Sequence, residues 1–471
     1  MTTSLELLAT TALISTLSAV VALLLGYPIG LWLSNLGKSK RLVTAFLLLP
    51  FLLPAFLIGL SLRPIFESVI TDSRIGILLI VAAHAFMNAG FIAIVTSSSL
   101  IPREQIEAAE LDGASKFKIR TQISLPQQLP ALSAAALLVA LYSATSYGLI
   151  ISLGQGQIQT LETEIAKSAM QDLDITRAAV LAGLQTLLTI SFFVFANRLG
   201  ANPTSLFGQE GESPQGSRLG TVLGFCLLIA VLFVVLGVFQ RAVTEGPGLF
   251  GNMANLAGRG TRDILNISVL EAAGNSLRNL VVATLISLTV AWLISRNRLG
   301  VLVLLPIGIS PVVIGLIALV ISGYLPVPVS SSWLLLPVVQ SVFLIPLAFQ
   351  VIAPARRAVS TEMLEAAMLD GASGVKLFGL IELPTLARPL AAAAALVSLG
   401  SLGEFGAASF LAFGSEATLP LVMFRLMSRP GGENLGMAMT AASFLILLAL
   451  VVVAVISSNR TSRRVQSDAS E

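Results

Sequence analysis

The sequence predicts an all-α polytopic membrane protein made of two parallel repeats, and three observations carry that prediction. The chain of 471 residues is 55% hydrophobic and only 11% charged, with mean hydropathy +0.90, whereas soluble domains average about 25% charged. Eleven apolar runs each approach the roughly 20 residues a helix needs to cross a bilayer. Two polar segments, 107–126 (EAAELDGASKFKIRTQISLP) and 365–384 (EAAMLDGASGVKLFGLIELP), nearly repeat each other at a constant offset of 258 residues. No hydrophobic pattern forces that likeness on charged residues, glycine and proline.

The expected spans lie near 10–33, 42–62, 76–98, 129–152, 177–196, 220–240, 268–295, 300–322, 334–355, 387–411 and 437–457. The first run lacks the basic start of a cleavable signal peptide and is long enough to stay as a span. The two copied segments follow spans three and nine, so an even number of spans separates them and both face the same side. The loops on that side and the C-terminal tail hold Lys38, Lys40, Arg41, Arg103, Lys116, Lys118, Arg120, Arg198, Arg218, Arg296, Arg298, Arg356, Arg357, Lys376, Arg388, Arg460, Arg463 and Arg464. These are 18 of the 28 basic residues. The bias makes this side cytoplasmic, with the N-terminus outside and the C-terminus inside. In a soluble chain the net charge of +3 and pI near 9.2 would hint at nucleic acid; here they reflect inside loops, and no nucleic-acid partner is expected. The single cysteine, Cys226, sits in an apolar run and excludes a disulfide framework; it reads as a packing residue.

The repeat extends past the loops. Tyr147-Gly148 matches Phe405-Gly406 and Thr160-Leu161 matches Thr418-Leu419, all at the offset of 258. LLPFLLPAFLIGL (48–60) resembles LLPIGISPVVIGL (304–316), and Trp32 and Trp292 end matching spans. Each half therefore has a common five-helix core, and the second has an extra span, 220–240, before its core. Parallel repeats are related by an axis along the membrane normal. The polar, Gly/Pro/Ser-rich stretch 199–219 is the internal linker, which divides the chain into domains 1–208 and 209–471. The tail after Asn459 is polar and expected to be disordered.

Each copied segment reads as helix–bend–helix. Glu104, Glu107 and Glu110 sit near the positive start of a helical run, with Ala108, Ala109 and Leu111 forming a small-residue face. Gly113 follows Asp112 at a helix stop, where glycine takes the left-handed conformation at little cost. A second helix, 114–124, is expected to end at Leu125-Pro126 because proline disfavours helix in the residue before it. Glu365, Ala366, Ala367, Asp370, Gly371 and Leu383-Pro384 repeat each step. Another backbone could approach closely at such a bend.

The pattern of EAA, three residues, G, then about a dozen residues to LP resembles the EAA loop of bacterial ABC importer permeases. Two such loops in one chain resemble the fused permeases of ferric-iron and thiamine importers. HAFMNAG (84–90), SLGEFGAASF (401–410) and TLPLVMFRL (418–426) are similar to segments of that family. One departure is that the first half lacks the extra first span such halves often have. The resemblance implies that Glu107, Ala108, Ala109, Asp112 and Gly113 contact one ATP-binding subunit. Glu365, Ala366, Ala367, Asp370 and Gly371 would contact a second copy. It also implies an extracytoplasmic solute-binding protein, a bacterial cytoplasmic membrane around the chain, and cargo of ferric iron, with thiamine as the alternative.

The chain itself shows no ATP site, so ATP and Mg belong to the partner subunit and no cofactor is expected here. Gly37-Lys38-Ser39 could end a phosphate loop, but Trp32 stands where GxxxxGK[ST] needs glycine. With one histidine and no metal-ligand spacing, neither catalysis nor a metal site is expected. Ionisable residues within spans are expensive to bury and often functional. Glu404 and Ser146, its counterpart in the repeat, are candidates for the translocation path, Glu404 alternatively a structural carboxylate. Tyr147 and His84 are further path candidates, with His84 reading rather as an interhelical hydrogen-bonding residue. A secondary transporter with parallel repeats would need several membrane-embedded acids, and by sequence Glu404 stands nearly alone.

Overall fold

The computed structural model describes residues 3–66, 72–154, 156–200, 217–297, 303, 306, 309–326, 332–373, 375–429 and 431–458. Among these residues every regular element is a helix. One compact unit comprises 1–252 with 431–446, and the other comprises 253–430 with 447–471. The first contains α1 (Ser4–Leu33), α2 (Lys40–Leu52), α3 (Ala55–Phe66), α4 (Ser73–Ser98), α5 (Arg103–Leu111), α6 (Leu125–Ala144), α7 (Tyr147–Leu153), α8 (Leu161–Met170), α9 (Ile175–Arg198) and α10 (Arg218–Thr244). The second contains α11 (Val269–Ile294), α12 (Pro311–Ser322), α13 (Leu335–Arg357), α14 (Thr361–Leu369), α15 (Leu383–Leu402), α16 (Gly406–Leu411) and α17 (Leu419–Met427). The last helix, α18 (Gly432–Ser458), begins in the first unit. Nine of the described helices are long and apolar enough to cross a membrane, or ten if one bent pair counts as a span.

The first helix of each half begins on the same device. Thr3 and Ser268 accept the N–H groups of Glu6 and Glu271, each at 3.2 Å. Those glutamates accept the Thr3 and Ser268 N–H groups in return, at 2.8 and 2.7 Å. Each reciprocal pair satisfies two of the four N–H groups that a helix start leaves open.

Within the first unit α1 packs along α4, α6 and α10; within the second, α11 packs along α13 and α15. Apolar surface drives no association inside lipid, so close backbone approach does. Gly26 and Gly30, one turn apart on α1, supply it. A Cβ at Gly26 would stand 2.5 Å from Ile92 Cβ, and one at Gly30 would stand 2.6 Å from the Ala93 carbonyl oxygen.

Several expectations need correction. The extra span counted with the second half, α10, packs in the first unit: Gly224 faces Trp32, whose ring tilts against Phe225 with centroids 5.5 Å apart. Cys226 on the same helix is exposed rather than packed. The proposed linker and the boundary at 208/209 fall mostly on 201–216, outside the described residues, as does the tail after Ser458. The run at 42–62 is not one straight span but α2 and α3, bent by 85°. Leu53, ahead of Pro54, is extended (ψ 148°), as a residue before proline prefers. Of the run at 300–322, the described regular helix is α12 alone, which starts at Pro311. The runs at 129–152 and 387–411 are each broken near their ends. The chain leaves the helix at Thr145–Ser146 and at Gly403–Phe405, and resumes in the short α7 and α16. α7 packs on α3, and α16 on α12.

Two more short helices, α8 and α17, occupy segments between expected spans and are anchored alike. The Leu161 N–H donates to Thr11 Oγ1 of α1 at 2.9 Å, and the Leu419 N–H donates to Ser276 Oγ of α11 at 2.8 Å. The repeat holds in three dimensions: α5 begins at Arg103 and α14 at Thr361, α6 at Leu125 and α15 at Leu383, α8 at Leu161 and α17 at Leu419, each 258 residues on.

Candidate functional site

The two copied loops fold alike, hydrogen bond for hydrogen bond. In the first, the Gly113 N–H donates to the Glu110 carbonyl at 3.0 Å and the Ala114 N–H to the Ala109 carbonyl at 3.0 Å. In the second, Gly371 donates to Met368 at 3.0 Å and Ala372 to Ala367 at 2.9 Å. This paired closure satisfies the last carbonyls of a helix and requires a left-handed residue at the stop. Gly113 has φ +80° and Gly371 φ +82°. Among the described residues, a Cβ at either glycine would meet nothing beyond its chain neighbours within 4 Å, so the bend is open there. Inside the first bend, Ala109 and Ala114 pack with Ile101, Ile106, Ile119 and Ile123 in a small apolar cluster.

The second helix does not end before Pro126. After one turn at Lys116–Lys118 it passes through a wider π segment, Ile119–Ser124, straight into α6. The Leu125 N–H donates to the Arg120 carbonyl, five residues back. Proline has no N–H to offer the carbonyl four residues before it, and the wider turn re-pairs the ladder around that gap. The second copy does the same at Phe378–Glu382 ahead of Pro384. Each bend is thus rooted directly in a membrane helix.

The residues singled out on the loops lie at the surface. Glu107, Ala108, Asp112 and Gly113 are exposed and Ala109 is half-buried; Glu365, Ala366, Asp370, Gly371 and Ala367 repeat that pattern. Glu107 pairs with Arg103 at 2.7 Å, an exposed i,i+4 pair that contributes little by itself. Sequence reasoning underrated Leu111 and Leu369, which occupy matching positions beside the bends and are 89% and 90% exposed. Two matched, uncovered leucines on charged loops are the signal that could have found them.

The four path candidates have separate surroundings. His84 is buried on α4, with Nδ1 3.4 Å from Ser18 Oγ of α1, and its carbonyl accepts from Asn88 at 2.7 Å. Ser146 is buried just before α7, and its hydroxyl does not cap that helix. Tyr147 opens α7. Glu404, at the repeat position of Ser146, is buried in the break between α15 and α16. Its carboxylate accepts the N–H groups of Ala407 (2.6 Å) and Ala408 (3.1 Å) and lies 3.4 Å from Gln340 Nε2. Gln340 in turn accepts from Ser401 at 2.8 Å. Both oxygens are thereby committed to starting the next helix.

Nor is Glu404 alone among buried acids. Glu162 and Glu164, in the first turn of α8, are buried. Gln185 Nε2 donates to Glu162, and Arg177 Nη2 pairs with Glu164 at 2.7 Å. Their run, TLETEIAKS, is short and mixed, so no span expectation covered it. Glu382, at the end of the second π segment, is buried as well.

Each half of the chain thus carries the same bend, rooted in an apolar helix long enough to cross a membrane. The chain matches the family described as "binding-protein-dependent transport system inner membrane component" over residues 22–246 and 271–467. It belongs to that family, the permease subunits of ABC importers, in which the ATPase is a separate subunit. It is 24% identical over 421 residues to the thiamine transport system permease protein ThiP of Escherichia coli, covering 84% of this chain and 75% of that protein. It is 26% identical over 398 residues to ThiP of Brucella abortus, covering 80% and 71%. It is 28% identical over 251 residues to the sulfate transport system permease protein CysW of Escherichia coli, covering 49% of this chain and 82% of CysW. The chain is thus a multi-pass inner-membrane permease subunit that works with ATP-binding and substrate-binding partners.

Proposed function

We propose that the loops at 103–125 and 361–383 are the coupling elements of an ATP-driven importer, each seated on one copy of an ATP-binding subunit at the cytoplasmic face. The observation that carries this is the pair of identical bends with open left-handed glycines and matched bare leucines. Apolar knobs beside an uncrowded backbone suit a groove on a partner protein. Closure of the ATPase pair on nucleotide would move both bends, and rigid-body rocking of the two halves would open the path alternately to each side. The basic residues around the loops favour the same orientation, with the N-terminus outside and the C-terminus inside.

The cargo we favour is thiamine. The relatives named above that match most of this chain are thiamine permeases, and those named point to thiamine and sulfate rather than iron. Ferric iron, the first expectation from the sequence, would have drawn support from a free carboxylate in the path. Glu404 is instead engaged as an internal helix cap, which fits a structural role. The test is uptake of radiolabelled thiamine and of ferric iron by a strain lacking this gene, with and without the gene restored. Restored thiamine uptake supports the assignment, restored iron uptake replaces it, and failure of the ATP-binding subunit to co-purify with the chain refutes the coupling reading itself.

A further inference from the structure

The two docking elements match in their bends but not at their roots. In the second half, Arg356 lies in the last turn of α13 just before the loop and Glu382 closes the π segment just after it. Arg356 Nη2 lies 3.2 and 3.1 Å from the two Glu382 oxygens, and Arg296 Nη2 reaches the same carboxylate at 3.1 Å. Arg356 Nη1 donates to Ser295 Oγ at 3.0 Å and to the Trp292 carbonyl. Its guanidinium lies 4.1 Å from the centre of the Trp292 ring. The Arg356 and Glu382 side chains are only 9% and 4% exposed. One buried cluster thus ties the two ends of the loop to each other and to the end of α11.

The same repeat positions in the first half, 258 residues earlier, are Ser98 and Ser124, which carry no charge. Trp32, which ends the corresponding first-half span 260 residues before Trp292, faces Gly224 and Phe225 of α10 instead. The first root is held by the buried Ile101, Ile106 and Ile119, by Gln127 donating to Gln105 at 3.3 Å, and by the exposed Arg120 5.4 Å from the Tyr27 ring. Charge-assisted bonds fix direction as well as distance, which apolar packing does not.

We propose that the docking elements are mechanically unequal: Arg356, Glu382 and Trp292 clamp the second to its membrane helices, while the first flexes at its root. This rests on reading the loops as coupling elements, and it makes Glu382 and Arg356 positioning residues for the power stroke. A push on the second bend reaches α11, α13 and α15 together, whereas a push on the first is partly absorbed.

Amide hydrogen exchange on the full chain in lipid nanodiscs tests the clamp without any partner or cargo. The segment 378–383 should be protected at least about tenfold more than 119–125, the scale expected for a buried charged hydrogen bond. Glu382→Gln should erase that difference without altering exchange in α1 or α4. Ser98→Arg with Ser124→Glu should raise protection of the first root. Equal protection of the two roots in the unaltered protein, or no local change in Glu382→Gln, overturns the proposal. In proteoliposomes with the ATP-binding subunit, Glu382→Gln should keep hydrolysing ATP while labelled-thiamine uptake per ATP falls severalfold; an unchanged ratio counts against it. Should the unaltered complex carry no thiamine, the cargo assignment fails while the exchange result still decides the clamp.

Discussion

Replacing both bend glycines separates the strain a side chain causes within this chain from the obstruction it causes to a partner. At φ +80° and +82° a residue with a Cβ costs about 1–2 kcal/mol in the left-handed region. Asparagine suffers less, because its short polar side chain bonds locally. Among the described residues, none beyond the chain neighbours lies within 4 Å of a Cβ at either site, so Gly113→Asn with Gly371→Asn meets no clash with them. The permease alone should therefore lose at most about 2 kcal/mol over the two bends, local to the loops, with its main unfolding transition in detergent barely moved. If an ATP-binding subunit seats its backbone on these bends, two added side chains should weaken its binding by tenfold or more, about 1.4 kcal/mol or above. The assay is titration of the purified ATP-binding subunit against the permease in nanodiscs, read by light-scattering interferometry, beside a melting curve of each variant. Binding within twofold of the unaltered chain would refute the close-approach argument, and a large fall in melting temperature would refute the claim that the sites are internally open.

Other expectations follow from the same geometry. Glu404→Ala strips two N–H groups and Gln340 of their acceptor and should cost about 2–4 kcal/mol, seen as a lower melting temperature; Glu404→Gln, which keeps one acceptor oxygen, should cost less than half of that. Ser268→Ala removes the reciprocal cap of α11 and should cost about 1 kcal/mol, readable in the same melt. Gly26→Leu drives a side chain into Ile92 and the Ala89 carbonyl and should cost about 3 kcal/mol or more by overpacking, with folded yield in the membrane as the readout. Leu111→Asp with Leu369→Asp should leave the melt unchanged and abolish co-purification of the ATP-binding subunit; an intact complex would remove the leucines from the interface.

The helices and the two copied bends were legible in the sequence because their determinants are local or periodic. Apolar length places a span, and glycine after Asp112 and Asp370 places a bend. The interruptions at Thr145–Ser146 and Gly403–Phe405 were hidden because the residues beyond them stay apolar, and hydropathy does not distinguish a straight helix from a broken one. Pro126 misled in the opposite direction, since a π turn can absorb a missing N–H that an α turn cannot. Glu162, Glu164 and Glu382 were invisible as buried groups because their burial depends on Gln185, Arg177 and Arg356, distant partners that no local pattern announces. The allegiance of α10 to the first unit is likewise a matter of packing, decided by Gly224 against Trp32.

Trp32 and Trp292 end matching spans and serve different neighbours, and a single chain is what permits that. An assembly of two identical subunits must carry every substitution twice, so an arginine suited to one side is imposed on the other. Tandem copies on a single gene escape that rule. In one reading frame the two halves can hold Ser98 and Arg356 at the same repeat position.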